Sequence, residues 1–256
     1  MLLGAPTAYW VTVAALIGLA LGSFSTVLVS RWPAGESLAH PRSHCTSCQR
    51  VLTPLELIPV VSWVALRGRC QGCGTRVSWR YPAIELASGT FAAMGILTFG
   101  PTWEGFAAAL LGVALVPVVV IDLQHHLIPD VVVLPAAALG LTAAIASDPS
   151  GWWVPVTAAL GAAGFLYLLY FLYPSGMGRG DVKLALLLGA VLGASVVPAL
   201  FLAFAMGAAL GVVLLARFGS RARKMAVPFG PFLAAGALVA LWFGPSMIGW
   251  YTERLG

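Results

Sequence analysis

Charge is scarce in this sequence: Asp, Glu, Lys and Arg make up 9% of the residues, against 60% that are hydrophobic. A soluble domain with that balance would carry an apolar surface, so a soluble fold is excluded and a polytopic membrane protein is expected. The mean hydropathy of +0.93 agrees. Basic residues are missing altogether ahead of Arg31. A cleaved signal peptide carries its positive charge first, so the opening apolar stretch, 9–29, is expected to be a retained helix with its N-terminus outside. No platform of interleaved basic and aromatic residues is present, which excludes reading the net charge of +5 as nucleic-acid binding.

What is abundant is apolar sequence in lengths that cross a bilayer. Spans fall near 9–29, 82–99, 104–122, 131–147, 152–173, 182–195, 196–216 and 228–249, about eight transmembrane helices of an all-α fold. The boundary between the sixth and seventh lies inside one long apolar run. A single helix there would overshoot the hydrocarbon, and Gly193, Ser195 and Pro198 favour a turn. The chain thus divides into a first helix (1–29), a loop domain (30–81) and a transmembrane core (82–256).

The basic residues test this topology. With the N-terminus outside, the cytoplasmic segments are 30–81, 123–130, 174–181 and 217–227. Of the 14 Lys and Arg residues, all but Arg254 lie in or beside them: Arg31, Arg42, Arg50, Arg67, Arg69, Arg76, Arg80, Arg179, Lys183, Arg217, Arg221, Arg223 and Lys224. That is the positive-inside pattern. It places the loop domain and the ends of two later helices on the cytoplasmic side.

The loop domain holds all four cysteines, as Cys45-Thr46-Ser47-Cys48 and Cys70-Gln71-Gly72-Cys73. Two Cys-x-x-Cys pairs suit a tetrahedral thiolate site, since each sets two sulfurs on one side of a tight turn. A reducing cytosol disfavours disulfides, and so short a loop needs a staple to fold. Structural zinc held by Cys45, Cys48, Cys70 and Cys73 is the expectation, with unliganded thiols or a redox pair as alternatives. Four thiolates leave no open position for a catalytic water, and His40 and His44 are read as surface residues.

Two acids stand out because a carboxylate at the lip of an apolar segment is expensive and functional by default. Asp122 closes the run Val118-Val119-Val120-Ile121, at a helix end where the macrodipole disfavours an anion. Asp181 follows Gly176-Met177-Gly178-Arg179-Gly180; capping could explain it, but the glycines permit a close backbone approach that capping does not require. Asp130, after Pro129, reads as the N-cap of the next helix. His125 and His126 fall near Asp122, either beside a site or at the interface. If Asp122 and Asp181 meet, like charges prevent both from ionising cheaply and the pair shares one proton.

The ordered series Gly22-Ser23-Phe24 to Arg31-Trp32-Pro33, the paired Cys motifs enclosing Ile58-Pro59 and Ser62-Trp63, Arg67-Gly68-Arg69-Cys70, Arg80-Tyr81-Pro82, Glu85, Ile121-Asp122, Ile128-Pro129-Asp130, Gly176 to Leu184 and Pro228-Phe229-Gly230-Pro231-Phe232 resembles the bacterial prepilin peptidases, or type IV leader peptidases, over nearly the whole chain. The resemblance implies an aspartic endopeptidase of the bacterial inner membrane with Asp122 and Asp181 as its catalytic pair. The substrate is a prepilin or pseudopilin whose basic leader lies in the cytoplasm ahead of a helix held in membrane lipid. Gly178, Gly180 and Lys183 are the expected substrate contacts. Many members also methylate the new N-terminus with S-adenosylmethionine. The chain has no glycine-rich βαβ unit, so a methyl-donor site must be built from the loop and membrane helices. Two departures from the family pattern, Thr26 and Leu55-Glu56-Leu57, bear on methylation or leader recognition, and Glu56 is expected to keep part of an acidic role there. A proton-coupled transporter, or a scaffold docking through the Cys loop, are the competing readings.

Overall fold

Residues 5–174 and 176–255 are described by a computed structural model, in which every long element is a helix. The helices are α1 (Thr7–Arg31), a short α2 (Val61–Ala65), α3 (Arg80–Phe99), α4 (Trp103–His125), α5 (Asp130–Ser147), α6 (Trp153–Leu172), α7 (Arg179–Leu192), α8 (Val196–Phe218) and α9 (Gly230–Leu255). All-helical structure is what a bilayer demands, because each backbone N–H and C=O must be satisfied within its own segment. Eight helices are long, and the expected break in the longest apolar run is present: Gly193 turns at φ +54 and Gly193–Ser195 form one 3-10 turn. Counted as one stretch, Arg179–Arg221 spans 43 residues, and among the described residues seven stretches are long and apolar enough to cross a membrane. As a straight helix that stretch would be about 65 Å long, roughly twice the hydrocarbon thickness. The side chains of Arg223 and Lys224, assigned to the basic side by sequence, lie outside what is described.

The chain forms two compact units, Met1–Val120 and Ile121–Gly256. In the first, α1 lies along α3. The contact sets small residues of α1, Gly18 and Gly22, against Glu85, Ser88, Gly89 and Ala92 of α3. Lipid tails are as apolar as leucine, so membrane helices gain by bringing backbones close, and the Gly18-x-x-x-Gly22 spacing lets them do so. Between α1 and α3 the loop folds as two matching knuckles. In each, the fifth residue donates its N–H to the first cysteine's carbonyl, Gln49 to Cys45 and Gly74 to Cys70, both at 2.9 Å. That residue has positive φ in both, +59 and +72. Glycine occupies one position and glutamine bears the strain at the other.

In the second unit α7 is the central helix, contacting α5, α6 and α9, while α8 pairs with α9. Leu184, Ala185, Leu187 and Leu188 are wholly buried. The tightest crossings again fall at glycine: a Cβ on Gly140 would stand 2.5 Å from the Val191 side chain.

Because a Cβ on Gly18 would come within 2.6 Å of both the Ala92 Cβ and the Ser88 carbonyl, Gly18→Val should cost about 1–3 kcal/mol through overpacking. Thermal unfolding in detergent should register a lower midpoint, whereas Gly161→Ala, with no atom within 4 Å of its new Cβ, should unfold like the parent.

Candidate active site

Asp122 ends α4 and Asp181 begins α7, and the second unit brings them together. Both are nearly sealed from solvent, 5% and 6% exposed. Each has one carboxyl oxygen tied to a backbone N–H. The Gly230 N–H donates to Asp122 Oδ2 at 2.9 Å, and the Gly178 N–H donates to Asp181 Oδ2 at 3.0 Å. Gly180, next to Asp181, packs on Ile128, six residues past Asp122, so the two acids share one corner of this unit.

The two donors have the same origin. Gly230 is the first residue of α9 and Gly178 precedes the first residue of α7, where helix N–H groups have no partner within the helix. Such ends attract negative charge. Asp122 sits at the wrong end of its own helix for an anion, and the start of α9 supplies the compensation. In the sequence Gly230 stands out only as part of the run Pro228-Phe229-Gly230-Pro231, where a glycine flanked by prolines marks a helix start. A Cβ there would lie 2.6 Å from Asp122 Oδ2.

The remaining sequence-selected residues surround the pair. Asp181 is not an N-cap: Gly178 holds that position and the Asp181 side chain reaches back to it from the third residue of α7. Asp130 is likewise the first residue of α5, with Pro129 as the N-cap. Its carboxylate accepts from Lys183 Nζ at 2.5 Å, pinning α5 to α7. A Cβ on Gly180 would lie 2.8 Å from the Ile128 Cβ, so this glycine is needed for packing, whereas Gly178 borders Asp181. His126, at φ +55, donates its N–H to the Asp122 carbonyl and closes α4.

The pair does not lie at the ends of all its neighbours. Phe165 of α6, Phe204 of α8, Phe229 and Phe232 form a chain of ring contacts with centroids 6.1, 5.1 and 6.3 Å apart, at the start of α9. Beyond this level α8 continues from Gly207 to Phe218, about 16 Å of helix, with Val212, Val213 and Phe218 exposed. The carboxyls are therefore recessed below apolar helix ends.

In the first unit the four cysteine sulfurs lie within 4.8 Å of one another, Cys45 and Cys73 at 3.8 Å. A tetrahedral ion with bonds of about 2.3 Å needs sulfurs roughly 3.8 Å apart, so the four thiols can hold a metal. N–H groups of Cys73 and Gly72 pull the Cys70 thiol down to about 6, favouring the thiolate a metal requires. Arg50 lies beside this knuckle where Gly72 leaves room, and its Nη2 and Nη1 donate to Glu56 Oε1 and Oε2 at 2.5 and 3.1 Å. Thr53 donates to Glu56 Oε2 through N–H and Oγ1, at 3.0 and 2.9 Å. Glu56 is thus fully engaged inside the loop and not free for an acidic role toward a substrate. Arg50, then Thr53, hold its carboxyl down at about 2. Its contribution to stability is present above about pH 4 and is lost as pH falls through about 2.

Comparison with known proteins bears on both regions. The Bacterial Peptidase A24 N-terminal domain matches residues 16–99, taking in all four cysteines, and the Type IV leader peptidase family matches 109–212, taking in both acids. Relatives named Prepilin leader peptidase/N-methyltransferase match nearly the whole chain. That of Bacillus subtilis is 36% identical over 93% of this chain and 96% of its own length, that of Burkholderia pseudomallei strain 1026b 37% over 93% and 87%, and that of Pseudomonas putida 35% over 97% and 96%. This chain belongs to the type IV leader peptidase family. No solved structure matches it. Within the family frame, the acid pair lies in the region of the peptidase match and the four-cysteine loop in that of the N-terminal match.

Gly230→Ala should force the Asp122 carboxyl aside at a cost of about 1–3 kcal/mol. Gly178→Ala, whose Cβ would stand 3.4 Å from Asp181 Oδ2, should be tolerated. Detergent melting curves of the two variants should separate accordingly.

Proposed function

We propose that Asp122 and Asp181 are the catalytic pair of a membrane aspartic endopeptidase that removes the leader from type IV prepilins or pseudopilins. The chain is a multi-pass inner membrane protein of the leader peptidase family, and leader cleavage with N-methylation is the activity carried in its relatives' names. The observation supporting this assignment is the buried pair itself, with one oxygen of each acid held by a backbone N–H and no basic side chain pairing with either among the described residues.

Two adjacent carboxyl groups hold one proton between them more readily than none. The ionised member accepts a proton from water as the water oxygen attacks the scissile carbonyl; the protonated member donates to the developing oxyanion. Collapse of the tetrahedral intermediate breaks the C–N bond, and a proton passes to the leaving amine. No covalent intermediate is required. The fixed Oδ2 of each acid leaves Oδ1 for water and substrate, and the two helix N-termini favour the single negative charge the pair retains.

The distribution of basic residues supports an N-terminus outside, with the Cys loop and the acid pair facing the cytoplasm, where a basic leader lies. Gly178, Gly180 and Lys183, around Asp181, frame the approach of the leader. Cys45, Cys48, Cys70 and Cys73 hold structural zinc, supported by sulfurs that all lie within 4.8 Å of one another. S-adenosylmethionine, when bound, supplies the methyl group for the new N-terminus.

Asp122→Asn and Asp181→Asn each retain an acceptor for the backbone N–H. Each should lower leader cleavage at least 10²–10⁴-fold, the range for a lost general acid or base, while the protein still accumulates in the membrane; cleavage of a purified prepilin by either variant at parental rate would defeat the assignment. Metal analysis should return about one zinc per chain, and Cys45→Ser with Cys73→Ser should lose it and open the loop to proteolysis while the helices still insert.

A further inference from the structure

We infer that Arg50 is the residue that neutralises the metal centre of the Cys loop, with its guanidinium Nε as the donor to the metal-bound sulfur of Cys70. This rests on the structural-zinc reading above and adds to it the positioning residue that lets four thiolates stand together. Four thiolates bring four negative charges to a metal that carries two. Donors or a cation outside the ligands have to meet the excess.

The two knuckles differ in how they do so. In each, the sixth residue accepts the first cysteine's N–H, Arg50 from Cys45 and Thr75 from Cys70, both at 2.9 Å. Thr75 keeps its side chain on its own knuckle, the hydroxyl 3.3 Å from the Cys73 sulfur. Arg50 faces the Cys48 sulfur of its own knuckle with its backbone N–H and sends its side chain across to the other. There it fills the space that Gly72 leaves, since a Cβ on Gly72 would stand 2.8 Å from Arg50 Nε. Glu56, and after it the nearby Cys70 sulfur, favour the guanidinium charge.

The bonds of this guanidinium leave one donor over. Nη1 and Nη2 are both committed to Glu56, whose side chain is 6% exposed, while Nε is buried and has no hydrogen-bond partner among the described residues. An unmade buried bond is costly, and the rigid planar fork cannot turn Nε elsewhere while its other two nitrogens are held. A neutral thiol is a weak acceptor; a metal-bound thiolate is a charged one. The spare N–H is thus accounted for by a site that is complete when loaded. Arg50 also reaches the membrane helices. Glu56 accepts from Thr53 at the entry of the 3-10 turn Pro54–Leu57, and just beyond it Val60, strained for a β-branched residue at φ +62, donates its N–H to Glu85 Oε2 of α3 at 2.7 Å. Glu56 and Glu85 line one cavity between the loop and α1. Arg50, once fixed at the sulfurs, holds the turn by which the loop meets α3.

The test uses purified full-length protein in detergent, stripped of metal and titrated with zinc against a chromophoric chelator, and with cobalt(II) as an absorbing substitute. Arg50→Gln should weaken zinc binding about 10- to 100-fold, the range for groups that support metal ligands from outside, and shift the sulfur-to-cobalt charge-transfer band. Arg50→Lys, which keeps the charge, should recover part of the affinity. Gly72→Ala leaves every ligand and charge in place but takes the space of Nε, so it should weaken zinc as well, with no further loss when combined with Arg50→Gln; it stays readable if Arg50→Gln fails to fold. Parental zinc affinity in either variant would overturn the inference. So would a loss that Glu56→Gln reproduces with the cobalt band unmoved in both, because Arg50 would then act only through the turn. A parent protein that takes up neither metal defeats the zinc reading itself, whereas a parent that binds zinc no better than Arg50→Gln defeats the role of Arg50 alone.

Discussion

A carboxyl group buried among apolar helices has to find hydrogen-bond donors that carry no competing side-chain charge, and much of the second unit is arranged around that requirement. Its donors are backbone amides at helix starts, which lack partners in their own helices. Asp181 uses the amide at the start of its own helix; Asp122, stranded at the end of α4, borrows one from α9. A lysine or arginine beside either acid would fix it as an ion pair. Backbone amides stabilise negative charge while leaving a pair able to pass a proton.

The same economy explains the glycines. Gly230 has no room for a side chain because the Asp122 carboxyl occupies that space, and Gly180 allows α7 to lie against Ile128. Lys183 and Asp130 add a half-exposed ion pair tying α5 to α7. Exposed pairs contribute little to stability, about 0–1 kcal/mol, so its role is to register the first turn of α7, where Asp181 stands. The recess below the ends of α6 and α8 surrounds this arrangement with apolar wall.

In the first unit the acids serve different purposes. Glu56 is absorbed by Arg50 and Thr53 into the scaffold of the Cys loop, and Glu85 is spent on a strained backbone turn beside a cavity. Sequence alone treated Glu56 as a free acid, because an exposed-looking Leu-Glu-Leu gives no hint that an arginine six residues earlier folds back on it. It also read Asp130 as a cap and left capping open as an alternative for Asp181. Both stand one or more residues inside their helices, since Pro129 and Gly178 take the extended backbone conformation at the entry.

The amino-acid sequence by itself determined the all-helical membrane architecture, the break at Gly193, the paired cysteines and the identity of the two unusual acids. These are matters of run length, local turn chemistry and the cost of charge in apolar sequence, all readable over a few tens of residues. The tertiary structure alone decided which groups meet those side chains: a glycine amide 108 residues from Asp122, a valine amide 25 residues from Glu85, and a lysine 53 residues from Asp130. Such partners are chosen by helix packing in three dimensions, and hydrophobic periodicity carries no record of which helix start will face which buried acid.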